Sequence, residues 1–174
     1  MPTKESRLTR ERIDTAGVLS SVEDPGSGAV VLFLGTVRDS SEAGMVQRID
    51  YEAYESMAEK SLASAEAEVR RRWPSVKAVR IVHRTGALDV GEVSVAVAVS
   101  SPHRAEAFAA CRCAIDLVKR EAPIWKKEKL ADGRESWVEG HPLGRPRKSA
   151  GQRKKASSKQ RISLEKGARN ARIA

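Results

Sequence analysis

Val93-Ser94-Val95-Ala96-Val97-Ala98-Val99-Ser100-Ser101-Pro102-His103-Arg104 runs directly into Ala105-Glu106-Ala107-Phe108, and the apolar period changes within it. Val93, Val95, Val97 and Val99 recur at every second position, the period of a strand. Beyond Pro102 the recurrence becomes Ala105, Phe108, Cys111, Ile115, Val118 and Ala122, the threes and fours of one helix face. Ser101 is a good N-cap and Pro102 suits a first helical position, so the helix is expected to open there. Pro123 ends it.

Working outward, Ala29-Val30-Val31-Leu32-Phe33-Leu34 is a continuous β-prone run between Gly28 and Gly35, expected as a strand buried on both faces. Residues 36–44 are polar and read as a loop. Val46 to Tyr54 alternates roughly, as a half-buried strand does. Ala58, Leu62, Ala65, Val69 and Trp73 then mark a helix over 55–73, closed by Pro74. Val76 to His83 is strand-like, with turns at Arg84-Thr85-Gly86 and Asp89-Val90-Gly91. Ile124–Lys129 and Glu135–Glu139 read as two strands joined through Asp132-Gly133. The order β-β-α-β-β-α-β-β predicts an α+β domain of antiparallel strands with two main helices over residues 28–144. Residues 1–27 form a polar N-terminal segment ending in Asp24-Pro25-Gly26-Ser27-Gly28, with a short helix expected within Arg10–Val22.

The net charge of +9 is unevenly spread. Residues 145–174 hold eleven Lys/Arg and one acid, Glu165, so they carry +10 and the first 144 residues carry −1. That tail lacks aromatic residues and has few large apolar ones, a composition expected to stay disordered. Any argument for nucleic acid from charge rests on this tail alone. Apolar residues make up 40% of the chain, enough for an ordinary core. No apolar run approaches the roughly 18–20 residues of a membrane-spanning helix, and the first 28 residues contain no apolar signal region. Cys111 and Cys113 sit two apart on the second helix, where side chains diverge by about 200°, and read as small apolar residues. These features predict a cytoplasmic protein.

Candidate chemistry gathers in a few places. His103 and Arg104 put cations in the first turn of a helix, where unpaired N–H groups already carry partial positive charge. Such a spot suits a phosphate or carboxylate; two solvated surface residues are the plainer reading. Lys119 lies sixteen residues on, roughly 24 Å along a straight helix, where a cation simply complements the dipole. Lys126, in Trp125-Lys126-Lys127-Glu128, points opposite to Trp125 in a strand, and outward if Trp125 faces the core. Arg38 reads as an exposed loop arginine. There is no Walker loop, GxGxxG, HExxH or Cys/His zinc pattern, and His83, His103 and His141 are too scattered for a metal motif. Neither a metal nor a cofactor is expected.

Several motifs in order resemble a known family. Gly28-Ala29-Val30-Val31-Leu32-Phe33-Leu34-Gly35-Thr36-Val37-Arg38, Tyr51-Glu52-Ala53-Tyr54, His83-Arg84-Thr85-Gly86, Ser101-Pro102-His103-Arg104, Ala122-Pro123-Ile124-Trp125-Lys126-Lys127-Glu128 and Trp137-Val138-Glu139 span residues 28–139. Together they resemble the catalytic (large) subunit of molybdopterin synthase, the MoaE family. The resemblance implies a hammerhead-type α+β fold and a homodimer. Each large subunit would bind a small ubiquitin-like sulfur carrier ending in a Gly-Gly thiocarboxylate, giving a heterotetramer. Two sulfur atoms would pass in turn to cyclic pyranopterin monophosphate, forming the dithiolene of molybdopterin in molybdenum cofactor biosynthesis. The sequence closes on Arg172-Ile173-Ala174, so this chain is not expected to carry the thiocarboxylate itself.

By the resemblance, Arg38, His103 and Arg104 bind the substrate's anionic group, and Lys119 and Lys126 are the catalytic lysines at the carrier's C-terminus. The resemblance also answers the roughly 24 Å separation: a pocket near a dimer interface combines groups from two chains. A desolvated lysine between other cations can serve as acid or base, and fixed cations stabilise the oxyanion formed when the spent acyl carrier is hydrolysed. Two departures stand out. Gly140 and His141 follow Trp137-Val138-Glu139 where the family often has a base, Arg145 being the first strong one, and the basic 145–174 extension is longer than the family needs. The competing expectation is a non-catalytic adaptor that binds nucleic acid or another polyanion through its tail. The absence of tail aromatics counts against stacking on single strands, though weak, salt-sensitive binding of polyanions remains an expectation.

Overall fold

The structure, a computed structural model, describes residues 6–138. The elements are β1 (Leu8–Thr9), α1 (Thr15–Ser20), β2 (Ala29–Thr36), β3 (Ser40–Ser41), β4 (Gly44–Ala53), α2 (Glu55–Arg72), β5 (Ala78–Arg84), β6 (Gly86–Asp89), β7 (Val93–Ser101), α3 (Arg104–Glu121), β8 (Ile124–Leu130) and β9 (Glu135–Val138). This is the α+β arrangement read from the sequence, with α2 and α3 as the main helices. The readings of the tail 145–174 and of Glu139, Gly140 and His141 lie outside the described residues.

β7 organises the first sheet, whose strand order is β1-β5-β7-β2. It pairs antiparallel with β2 and β5, and short β1 joins β5 in parallel. The Val/Ala alternation of β7 serves two layers. Val95, Val97 and Val99 face α2 and α3, where Leu62, Val69, Ile115 and Val118 complete the main core. Ala96 and Ala98 face the other way, and their small side chains let α1 bring Val18 and Val22 against the sheet. Each buried Val or Leu contributes roughly 1.5–3 kcal/mol relative to exposure.

The second sheet runs β3-β4-β8-β9, with β6 on the other edge of β4. Val37, Val46, Ile49, Leu88 and Leu130 form its own small core. The hairpin at Asp132-Gly133 forms as expected, with Gly133 at φ +84°, a conformation glycine adopts without steric cost.

Four local readings differ. β2 is an edge strand rather than one buried on both faces, and Val30 and Leu34 are 43% and 38% exposed. An apolar run marks a strand but does not fix its place in the sheet; β7, whose nine residues include two alanines and three serines, takes an interior position between β5 and β2. Ser101 belongs to β7, opposite Ala29, and α3 begins at Arg104 with His103 as N-cap. Ser101 is fully buried, so its hydroxyl lies in the sheet and not at the helix end. The buried face of α3 is Ala107, Ala110, Cys111, Ala114, Ile115, Leu117 and Val118, turned away from Ala105 and Phe108. Close approach to the sheet selects the alanines, and Phe108 is 63% exposed. Finally, the segment between the two turns at 84–91 forms β6, paired with β4.

The polar N-terminal segment is built into the fold from residue 6. The Glu59 carboxylate accepts from the Ser6 hydroxyl and the Arg7 and Leu8 amides. Arg7 pairs at 2.7 Å with buried Glu66, which also accepts the Ile81 amide at 2.9 Å. Among the described residues no helix is long and apolar enough to cross a membrane.

Candidate active site

β8 alternates, and its two faces differ in kind. Trp125 points outward, 44% exposed, while Lys126, Glu128 and Leu130 share the opposite, inner face. The Lys126 Nζ stands 2.8 Å from Glu128 Oε1. Glu128 itself is 1% exposed. Burial pushes the Glu128 carboxyl up, but hydrogen bonds from Lys126 and Ser41, with the charges of Lys126 and Arg38, outweigh it and hold the carboxyl below its ordinary value. An ionised carboxylate therefore anchors Lys126, with the charge of a second sequence-predicted cation, Arg38, acting on it.

Arg38 reaches this place because the chain after β2 is pinned. Buried Val37 donates its amide to the Glu92 carbonyl and accepts from the Gly91 amide. Arg38 follows immediately, exposed, and β3 then brings Ser41 to Glu128. Lys119 is exposed in the last turn of α3, three residues before the C-cap Ala122. Among the described residues it makes no ion pair, which leaves its ammonium for a ligand or solvent. The sequence reading set Lys119 and Lys126 together as neighbouring cations; the structure gives Lys126 an anionic partner in Glu128 instead.

His103 and Arg104 lie at the opposite end of the first sheet. β7 ends beside the start of β2, and the Gly28 amide donates to Ser101 O at 3.1 Å. A Cβ on Gly28 would stand 2.5 Å from the Pro102 carbonyl oxygen, so only glycine lets the chain pass this close to the entry of α3. From there α3 runs back along β7 and β2. Its eighteen residues cover about 27 Å, and the eight of β2 about 26 Å. One chain therefore carries two cationic clusters, Arg38, Lys119 and Lys126 at one end and His103 and Arg104 at the other. Within one chain Arg38 lies at the end of the lysines, and His103 and Arg104 lie at the other.

Two quoted motifs meet behind Lys126. Tyr51 is its cross-strand neighbour on β4, and the Tyr51 ring packs edge-on against His83, centroids 5.3 Å apart. His83 is buried; its Nδ1 lies 2.9 Å from the Arg84 carbonyl oxygen, which can only accept, so Nδ1 carries the proton of the neutral ring. Burial lowers its pKa to about 4, against the smaller opposing effect of that hydrogen bond. Sequence reasoning assigned no role to Glu128 or Ser41. The signal for Glu128 is its spacing of two from Lys126, which places both on one strand face; nothing in the local sequence points to Ser41. Among the described residues no cluster of His, Cys, Asp or Glu has the makings of a metal site.

The family model described as "MoaE protein" matches residues 8–121. The chain belongs to the MoaE family. Among its MoaE relatives, the molybdopterin synthase catalytic subunit of Nostoc sp. is 49% identical over 116 residues, 67% of this chain and 70% of the relative. That of Bacillus subtilis is 41% identical over 151 residues, 83% of this chain and 95% of the relative. The crystal structure of molybdopterin synthase from Staphylococcus aureus matches with a TM-score of 0.73 at 38% identity, over 78% of this chain and 97% of that one. This MoaE chain is thus an enzyme of molybdenum cofactor biosynthesis, of the sulfur-transferring molybdopterin synthase class. The reading as a non-catalytic polyanion-binding adaptor finds no support among these relatives.

Proposed function

We propose that the chain moves sulfur from the C-terminal thiocarboxylate of a small ubiquitin-like carrier protein to cyclic pyranopterin monophosphate, and that Arg38, Lys119 and Lys126 form the reacting end of its site. The observation that carries this reading is the convergence of Lys126 and Arg38 on buried Glu128 at the end of the domain where α3 finishes with Lys119. The thiocarboxylate sulfur is already anionic, so attack on the pterin needs no strong base. It needs cations that hold the carrier's end and a proton donor for the departing oxygen. Lys126, fixed by Glu128, suits the holding role. Lys119, without an ion pair among the described residues, suits proton delivery.

Attack joins the pterin carbon to sulfur, leaving the carrier's carbonyl carbon in a thioester. Water then adds to that carbonyl, the oxyanion is stabilised by the fixed cations, and the C–S bond breaks. The carrier departs as a carboxylate and the sulfur stays on the pterin; a second carrier repeats the cycle. His103 and Arg104 hold the substrate's phosphate. Because they sit at the far end of the same chain, they are supplied by the neighbouring protomer of a homodimer, and two carriers complete a heterotetramer working in the cytoplasm. The solved complex of subunits 1 and 2 of the Helicobacter pylori molybdopterin-converting factor, at 18% identity and a TM-score of 0.63, agrees in fold.

Separate titrations test the assignment. His103→Ala and Arg104→Ala are expected to weaken binding of the pterin precursor more than that of the carrier. Equal losses for both ligands would move these residues to the carrier interface.

A further inference from the structure

His83-Arg84-Thr85-Gly86 holds none of the reacting groups, yet it sits at the step between the two sheets. β5 ends at Arg84 in the first sheet, and β6 begins at Gly86 in the second, where Gly86 pairs with Tyr51. The reacting end is assembled across the same step. Arg38 follows β2 of the first sheet, whereas Lys126 and Glu128 lie on β8 of the second.

Arg84 is 12% exposed and donates to Glu92 Oε1 at 3.0 Å. The other carboxylate oxygen, Oε2, accepts the Asp89 amide at 3.0 Å, and the Glu92 amide donates back to the Asp89 carbonyl at 3.1 Å. Arg12 of the N-terminal segment adds an exposed contact to Oε1 at 3.4 Å. The Asp89 amide first, and then Arg84, hold the Glu92 carboxyl below its ordinary value. The turn closed in this way places Gly91 at φ +88°, a conformation that favours glycine.

This turn also grips the chain that bears Arg38. The β2–β7 ladder loses register between Gly35 and Thr36, where the Ser94 hydroxyl donates to the Gly35 carbonyl at 3.1 Å. Such irregularities re-aim the residues beside them. Just beyond, Val37 is held twice by the turn. Its amide donates to the Glu92 carbonyl at 3.0 Å, and its carbonyl accepts the Gly91 amide at 2.8 Å. Arg38 is the next residue.

We infer that Glu92, locked by Arg84, is the positioning residue that aims Arg38 at the Lys126–Glu128 pair. The inference rests on the place given to Arg38 in the reacting end above, and names what sets it there. The carboxylate fixes the turn, the turn fixes Val37, and Val37 fixes where Arg38 leaves the sheet. Without the carboxylate the turn loses its tie to β5 and one of its two internal bonds. A misplacement of about 1 Å can cost about 100-fold in rate, so a partial loosening is expected to cost about tenfold.

A double-mutant cycle on the full chain tests this, read by single-turnover dithiolene formation at saturating carrier and precursor. Glu92→Gln keeps the shape and loses the charge, and it should slow the step about tenfold. Arg84→Gln should act in the same direction, and it runs the same cycle if Glu92→Gln does not fold. Arg38→Ala should slow the step at least as much. Adding Glu92→Gln to Arg38→Ala should then change the rate by less than about twofold, because the group being aimed is gone. Amide exchange at Val37 and Gly91 should quicken in Glu92→Gln while that of Val97 in β7 stays unchanged. A folded Glu92→Gln chain with the wild-type rate, beside a slow Arg38→Ala, would overturn this inference alone. So would a Glu92→Gln effect as large in the Arg38→Ala chain as in the wild type, the mark of a structural role that does not pass through Arg38. Arg38→Ala at the wild-type rate would instead remove Arg38 from the reacting end, and this inference with it.

Discussion

Lys126 and Glu128 stand side by side on one face of β8, the ammonium 2.8 Å from a carboxylate oxygen sealed from solvent. The second carboxylate oxygen, Oε2, is also buried. The charge of Arg38 helps to hold this carboxyl ionised, so the buried negative charge fixes Lys126 and offsets the repulsion between the two cations. A site that must receive an anionic carrier end needs such an arrangement, positive toward the ligand yet fixed in geometry.

Replacing that charge should uncouple fold from function. Glu128→Gln keeps the shape and loses the anion. We expect a loss of about 1–3 kcal/mol in unfolding free energy and a fall in turnover of about tenfold or more, because Lys126 is no longer held. Denaturant unfolding alongside steady-state turnover checks both. Unchanged turnover in a variant of lowered stability would make Glu128 purely structural.

The buried His83 predicts a specific pH dependence. Its pKa is about 4 in the folded chain against 6.5 when free. Between these values the unfolded chain takes up a proton that the folded chain refuses, so stability falls as pH drops from about 6.5 towards 4 and levels off below that for this group. The full effect is on the order of 3 kcal/mol. The lowered carboxyl of Glu128 acts in the same sense, its contribution being present above the ordinary carboxylate value and lost as pH falls through the folded value. Unfolding free energies from pH 7 to 4 should slope steeply in the wild type and be flatter in His83→Asn. Parallel slopes in the two would show that His83 is not the titrating group.

Much of this was legible in the sequence, for physical reasons that also mark where it stopped. Period 2 at Val93–Val99 and the apolar stripe of 55–73 fixed the principal elements, since burial on one face leaves that trace. Prolines 74 and 123 closed both helices. Sheet position was not legible: Ala29–Leu34 is more apolar than β7, yet β2 is the edge, because pairing order is decided by contacts distant in sequence. The face of α3 was misread by its largest side chain, Phe108, which points to solvent while small alanines meet the sheet. His103, Arg104, Lys119, Lys126 and Arg38 were all singled out by residue type and resemblance. Their division into two ends of one domain needed the fold, as did the link of Ser41 to Glu128 from a different strand.

Gly28 offers a test of how the entry to α3 is positioned. A Cβ there would press on the Pro102 carbonyl, backbone that cannot swing aside. Gly28→Ala should cost about 1–3 kcal/mol and displace the turn bearing His103 and Arg104. The expected signature is a raised KM for the pterin precursor with carrier affinity kept. A variant with wild-type stability and KM would show that β2 and Pro102 adjust freely.

The most direct test of sulfur transfer at the Arg38, Lys119 and Lys126 cluster is single-turnover dithiolene formation from a thiocarboxylated carrier and cyclic pyranopterin monophosphate. The wild type should form the dithiolene. Lys119→Ala should melt as the wild type does and still bind carrier, while forming product at least about 100-fold more slowly, the loss typical of removing a positioned proton donor. A rate within a few-fold of wild type in a Lys119→Ala protein that folds and binds carrier would contradict the assignment of the reacting end to this cluster.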